Sequence, residues 1–390
     1  MAFTQTTTEG WGSRIGNSIK GVLFGIILFV AGFPILFMNE GRAVKTAKAL
    51  KEGAAAVVSI PATDIAAANE GKLVHISGMV DSTAPISDPE FGITAKALKL
   101  IRKVEMYQWV EKEETTTKEK AGGSKETTTT YTYEKEWASS VESSSSFKES
   151  GHDNPTQMLF NGSEKIADDA KLGAFQIPPR MIERMSSAVD LPVEEGKFTA
   201  PASAGSVPPK IDSGRLYFGA NPASPAVGDT RVSFLVLNPA VASIIAKQTG
   251  STLEPYATKA GKDLELLEMG NVDAEAMFET AVRNNIMITW IIRFAGFLAM
   301  FFGLSMLFQP LVMIAKVVPF LGSLLNVGTG LFAGVIAFVC ALVTIAVAWI
   351  VFRPILGIAL LVIAVGAIVF IVRMPARVKI NQPAAEPVNV

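Results

Sequence analysis

The spacing of the apolar runs constrains this chain more than any motif in it. One run lies near the N-terminus, at 21–38, and three crowd into the last quarter, at 286–308, 328–350 and 355–372. Each is about 18–23 residues long, and roughly 20 residues of helix cross a hydrocarbon core. About 245 residues of ordinary polarity separate the first run from the others, enough for an independent hydrophobic core. The layout predicts a multipass α-helical membrane protein, one N-terminal plus three C-terminal spans, with a large β-rich α+β soluble insert. The expected division is a tail at 1–20, span 1 at 21–38, the insert at 39–285, span 2 at 286–308, an interfacial segment at 309–327, span 3 at 328–350, span 4 at 355–372 and a tail at 373–390.

The first run has a basic flank (Arg14, Lys20), as a signal peptide would. Its apolar core is longer than the 7–15 residues of a typical signal h-region, and no A-x-A follows it, so a retained anchor is expected. With four spans both termini would share a side. Lys and Arg are spread evenly over the two sides, so charge does not set the orientation.

Composition removes several classes of function. The net charge of −1 gives no global field for nucleic acid. The single cysteine, Cys340, lies within a span and rules out an internal disulfide. Only two histidines occur, His75 and His152. His75 alternates with apolar neighbours and reads as a satisfied, half-buried strand residue; His152 sits in a turn. No G-x-S-x-G, H-E-x-x-H, CxxC or P-loop pattern is present. The C-terminal spans carry no Asp, Glu or His that would build an intramembrane relay. No enzyme, cofactor or metal site is expected.

Within the insert, residues 107–137 read as a long β-hairpin, with Thr, Tyr and alternating charge on both flanks of Ala121-Gly122-Gly123-Ser124. Its tip carries Thr, Lys and Glu and is expected to be exposed. Strands are expected at 72–80, 104–110 and 231–237, and a short helix at 239–247. A duplication of two Gly–basic–Leu strand units, opening at Gly71 and Gly214, is weighed against ordinary hairpin grammar. Residues 41–56 read as a helix continuing from span 1, with Lys45, Lys48 and Lys51 as candidate lipid-headgroup contacts. On span 3, Gly330, Gly334, Ala337 and Ala341 form a small-residue stripe suited to close helix packing, within the chain or between copies. The apolar segment 309–327, broken by Pro310, Pro319 and Gly322, reads as lying in the headgroups.

Several stretches resemble the LUMA (transmembrane protein 43) family: Asn39-Glu40-Gly41-Arg42-Ala43, Asn69 to Ile76, Ser87-Asp88-Pro89, Val104 to Glu111, Gly151-His152-Asp153-Asn154-Pro155, Val227 to Phe234, and Trp349 with Arg353-Pro354. The one-plus-three span layout is also the family's; 158–209 matches poorly. The resemblance implies a membrane protein without an established catalytic site. Its animal members look like scaffolds of the endoplasmic reticulum and inner nuclear membrane that self-associate and bind emerin and lamins, with the large loop in the lumen. For this chain the expected partners are the lipid bilayer, further copies of itself and other membrane proteins, emerin- or lamin-like only in a eukaryote. The expected location is the endoplasmic reticulum or inner nuclear membrane in a eukaryote, or the inner membrane with a periplasmic insert in a bacterium. The function expected is a non-enzymatic membrane organiser, with an oligomeric channel or conduit and a lipid-sensing module as alternatives.

Overall fold

A computed structural model describes residues 2–120, 123–201, 208–315, 319–359 and 362. Three of its helices are long and apolar enough to cross a membrane: α1 (Trp11–Ala56), α3 (Ala274–Ala315) and the 327–352 part of α4 (Pro319–Phe352); a short α2 (Pro179–Arg184) lies in the insert. The expected four spans are therefore three among the described residues. The chain is helical again over 354–359, but most of 355–372 lies outside the described residues.

α1 is one helix of 46 residues, about 69 Å at 1.5 Å per residue. Span 1 and the basic helix 41–56 are therefore a single element. α3 runs antiparallel to α1: Gly25 meets Gly303, Leu36 meets Gly296, and Leu50 shares a core with Phe278. α4 runs parallel to α1, bringing Phe352 onto Gly41. Residues 309–327 are mostly helical. α3 continues through Pro310 to Ala315 and α4 begins at Pro319, so the segment mostly extends the two helices; 316–318 lie outside the described residues.

Two large sheets build most of the insert, with two small two-stranded sheets beside them among the described residues. In one, Ala240–Thr249 pairs with Thr252–Glu254, and pairing continues through Phe175–Gln176, Lys171–Leu172 and Leu73–Asp81 back to Ala240–Thr249. The ladder closes on itself, a small barrel whose interior holds Val74, Ile76, Leu172, Phe175, Ile244, Ala246 and Leu253. Where a helix is expected at 239–247, the chain forms the strand Ala240–Thr249. Val241, Ile244 and Ile245 favour extended backbone, and the strand is buried on both faces: Ile244 in the barrel, Ile245 in a second core with Leu50 and Phe278. The second sheet runs Ala2–Glu9, Lys125–Ala138, Lys99–Glu119, Thr230–Leu237, Arg215–Phe218, Lys210–Asp212. It covers a core in which Phe91 lies edge-on to Phe160, Phe218 and Phe234.

The long hairpin forms, with Tyr107 opposite Trp137 and Glu119 opposite Lys125. The suggested duplication is not supported. Leu73–Asp81 belongs to the barrel and Lys99–Glu119 to the other sheet, whereas Arg215–Phe218 and Thr230–Leu237 pair directly with each other.

The N-terminal tail is also structured. Ala2–Glu9 adds to the free edge of Lys125–Ala138, from Ala2 opposite Thr132 to Glu9 opposite Lys125. The buried Arg14 donates to the Gly123 carbonyl (2.5 Å) and to Glu119 Oε1 (2.7 Å), pinning the hairpin tip.

Candidate functional site

Where the bundle meets the insert, polar side chains tie the three helices together. Glu40 is fully buried. Its carboxylate accepts from Arg293 Nε (2.7 Å) and Nη2 (2.9 Å) on α3, and from Trp349 Nε1 (2.8 Å) on α4. The guanidinium also lies 4.8 Å from the Trp290 ring. A bidentate pair with a further donor gives a buried carboxylate the compensation its desolvation requires. One turn away, Arg42 donates to Asn285 Oδ1 (3.1 Å) and Thr289 Oγ1 (2.9 Å), Asn39 donates to the Thr289 carbonyl (3.1 Å), and Asn285 donates to the Ala43 carbonyl (3.1 Å).

Beside this knot an open groove of about 1130 Å³ lies between α1 and α3, reaching the end of α4. Its origin is legible in side-chain size. α1 presents Ala43, Ala47 and Ala54 to the groove, while α3 presents Phe278, Val282, Ile286 and Trp290. Alanines recurring at helical spacing leave the space. Lys51 and Arg353 are exposed at its edge, and Arg283 is paired with Glu279 at 3.3 Å. The groove straddles the end of the apolar bands, with Trp290 and Trp349 at the level where amphipathic rings favour a membrane interface.

The three lysines singled out from the sequence are all exposed, but only Lys51 borders the groove; Lys45 and Lys48 do not line it. On span 3, Ala337 and Ala341 are buried against Leu36 and Met300. A Cβ added at Gly334 would make ordinary contact with Phe301 at 3.6 Å, and one at Gly330 would meet nothing. The closest helix approach lies elsewhere, between α1 and α3. A Cβ on Gly303 would sit 2.5 Å from the Phe29 nitrogen, and one on Gly25 would sit 2.8 Å from the Gly303 carbonyl oxygen. Gly32 and Gly296 are similarly crowded, by Met300 and Leu36. Sequence reading passed over this seam, although each helix carries its two glycines seven residues apart, two turns along one face.

Both histidines make defined contacts within the insert. His75 Nδ1 is 3.1 Å from Ser59 Oγ and Nε2 is 2.9 Å from the Val272 carbonyl, to which it donates. His152 stacks on Tyr133 at 3.9 Å and meets Trp109 edge-on. Its neighbour Asn154 accepts from Trp109 N and donates to Trp109 O, both at 2.8 Å, imitating a strand on the hairpin's edge. Arg231 pairs with Glu105 through two bonds and lies over Trp137, and that guanidinium holds the Glu105 carboxyl below its ordinary range. Burial, and secondarily the Arg42 charge, pulls the Lys262 ammonium below its usual range. Among the described residues no group of three His, Cys, Asp or Glu is placed to hold a metal.

The stretches that carry the family resemblance therefore occupy defined structural posts. Asn39 to Arg42 and Trp349 form the helix knot; 104–111, 151–155 and 227–234 set the hairpin base. The family model described as transmembrane protein 43 matches residues 106–354, opening where the hairpin ladder opens, at Met106. The chain belongs to the transmembrane protein 43 family. Human transmembrane protein 43 is 35% identical over 393 residues, covering 95% of this chain and 94% of the human one. The Drosophila melanogaster transmembrane protein 43 homolog is 33% identical over 359 residues, covering 90% and 94%. Family membership and the three candidate spans make this an integral membrane protein. No solved structure matches it.

Proposed function

We propose that this chain is a non-enzymatic membrane organiser that holds its β-rich insert against the bilayer and takes anionic phospholipid from the adjoining leaflet into the groove between α1 and α3. The carrying observation is the groove itself: mostly apolar walls open at the end of the apolar band, with Lys51 and Arg353 exposed at the rim beside Glu275 and the Arg283–Glu279 pair. Acyl chain lies along Ala43, Ala47 and Ile286, and the anionic headgroup is drawn to the basic rim. Each basic group near an anionic surface contributes about 1 kcal/mol. Association with copies of itself and with other membrane proteins belongs to the same reading, as does residence in the endoplasmic reticulum or inner nuclear membrane of a eukaryote, or in a bacterial inner membrane.

The test is native mass spectrometry of the full chain from nanodiscs of mixed neutral and anionic phospholipid. Anionic lipid should be retained by the wild type, reduced several-fold in Lys51→Glu/Arg353→Glu and blocked in Ala47→Trp. Equal retention of neutral and anionic lipid by all three proteins would defeat the proposal.

A further inference from the structure

The hairpin and the tail strand form a three-stranded ribbon whose placement is incompatible with a lone chain in lipid. From Met106 to Glu119 the hairpin is paired over 14 register positions, about 43 Å at 3.3 Å per residue. At one end it joins the insert, through the pairing of Met106 with Thr230. At the other, Arg14 holds the Gly123 carbonyl and Glu119. Along α1, Arg14 and Gly41 are separated by about 40 Å, a stretch that contains the whole of the 21–38 apolar run. If that run lies in hydrocarbon, the ribbon crosses the same depth beside it.

The ribbon is not built to face lipid. Alternation places Lys112, Glu114, Thr116 and Lys118 on one face, opposite Thr132, Thr130, Thr128 and Glu126. Residues 113–119 and 3–8 are exposed, so the chain's own bundle does not screen them. Nor are the ribbon's edges closed: among the described residues no strand pairs with the outer edge of Ala2–Glu9 or with that of 110–118. Exposed polar faces and open sheet edges do not occur against hydrocarbon; they persist at that depth only inside protein or along water.

A second copy of this chain supplies the cover. The tail strand and 99–119 both run antiparallel to 125–138, and so run in the same direction. A rotation about an axis along the membrane normal preserves that direction. It places the tail strand of one copy beside the 110–118 edge of the next as a parallel ladder, and a cyclic ring leaves no edge unpaired. We infer that copies of this chain form a ring in which the ribbons, joined edge to edge and shielded from lipid by the apolar helices, line a water-filled lumen. This inference rests on the bundle crossing the membrane and not on the groove.

The experiment uses the full chain with Cys340→Ala in sealed proteoliposomes. Thr6 and Thr128 face each other across the ladder with their hydroxyls 3.4 Å apart. The pair Thr6→Cys/Thr128→Cys should oxidise to an intrachain disulfide within the bilayer. A single Thr116→Cys should react with a membrane-impermeant maleimide within about threefold of Ser145→Cys on the insert. Pairing Thr7→Cys with cysteines scanned over 114–118 should yield cross-links between copies. Three results each overturn the inference: no 6–128 disulfide, which puts the tail and the tip on opposite sides; labelling at 116 slowed a hundredfold or more, which puts the ribbon in lipid; or intrachain disulfide without any cross-link between copies.

Discussion

Glu40 shows how much rests on single side chains here. Its carboxylate neutralises Arg293 and orients Trp349, and it is fully buried. Glu40→Gln keeps an acceptor for the indole but leaves the guanidinium without a counter-charge. Removing one partner of a buried pair costs about 3–5 kcal/mol, and the slight exposure of Arg293 places this change near the lower figure. Thermal unfolding in detergent should show the loss, and Glu40→Gln/Arg293→Gln should recover part of it. Equal midpoints for wild type and Glu40→Gln would refute a stabilising knot. Glu105 gives a pH prediction. Its folded-state pKa is lowered by the Arg231 hydrogen bond, so its contribution is present above the ordinary carboxylate value of 4.5 and lost as pH falls through the folded value. Glu105→Gln should therefore lower stability at neutral pH and flatten the loss on acidification below about pH 4.5. A denaturation series from pH 7 to 3 tests both signs; parallel curves would show that the pair contributes nothing.

At the scale of elements, the α1–α3 glycine seam deserves the test that span 3 would otherwise receive. Gly303→Leu drives a side chain into the backbone of Phe29 and Gly25, which cannot rotate away. Overpacking of this kind costs about 1–3 kcal/mol, whereas Leu at the open Gly330 should be neutral or better, because Leu favours helix. Detergent melting of the two variants gives the comparison, and equal stability would show that the seam relaxes freely. The tail strand makes another prediction. Deleting residues 2–9 removes the ladder along 125–132, so trypsin should cut at Lys118, Lys120 and Lys125 faster than in the intact chain. Unchanged cleavage in detergent would mean that the tail does not cover the hairpin in solution.

Taken as a whole, the molecule was legible where one local pattern sufficed. Apolar runs announced α1, α3 and α4, and alternation around Gly122-Gly123 announced the hairpin. The barrel was not legible, because its closure depends on two-residue strands such as Lys171–Leu172 whose partners are remote. The 240–249 strand looked helical because burial on both faces erases the period of two. The tail strand ends just before Gly10, which directly precedes α1, and offers only Thr-rich propensity, with nothing in it to name the hairpin as partner. For the candidate site, Lys51 was visible as a basic residue near the membrane, whereas the groove needed Ala43, Ala47 and Ala54 to be set against particular bulky residues some 230 positions away. Glu40 drew notice only as part of a family motif.

The partners of Glu40 also set a clock on biogenesis. Arg293 follows it by 253 residues and Trp349 by 309. At a synthesis rate of about 5–20 residues per second, roughly 13–50 s pass between translation of the carboxylate and of its first counter-charge. During that interval α1 is already long enough to enter the bilayer, while the insert is folding beside it. The nascent helix must therefore leave Glu40 at the aqueous surface, or lend it to a temporary partner, until α3 arrives to draw it inward.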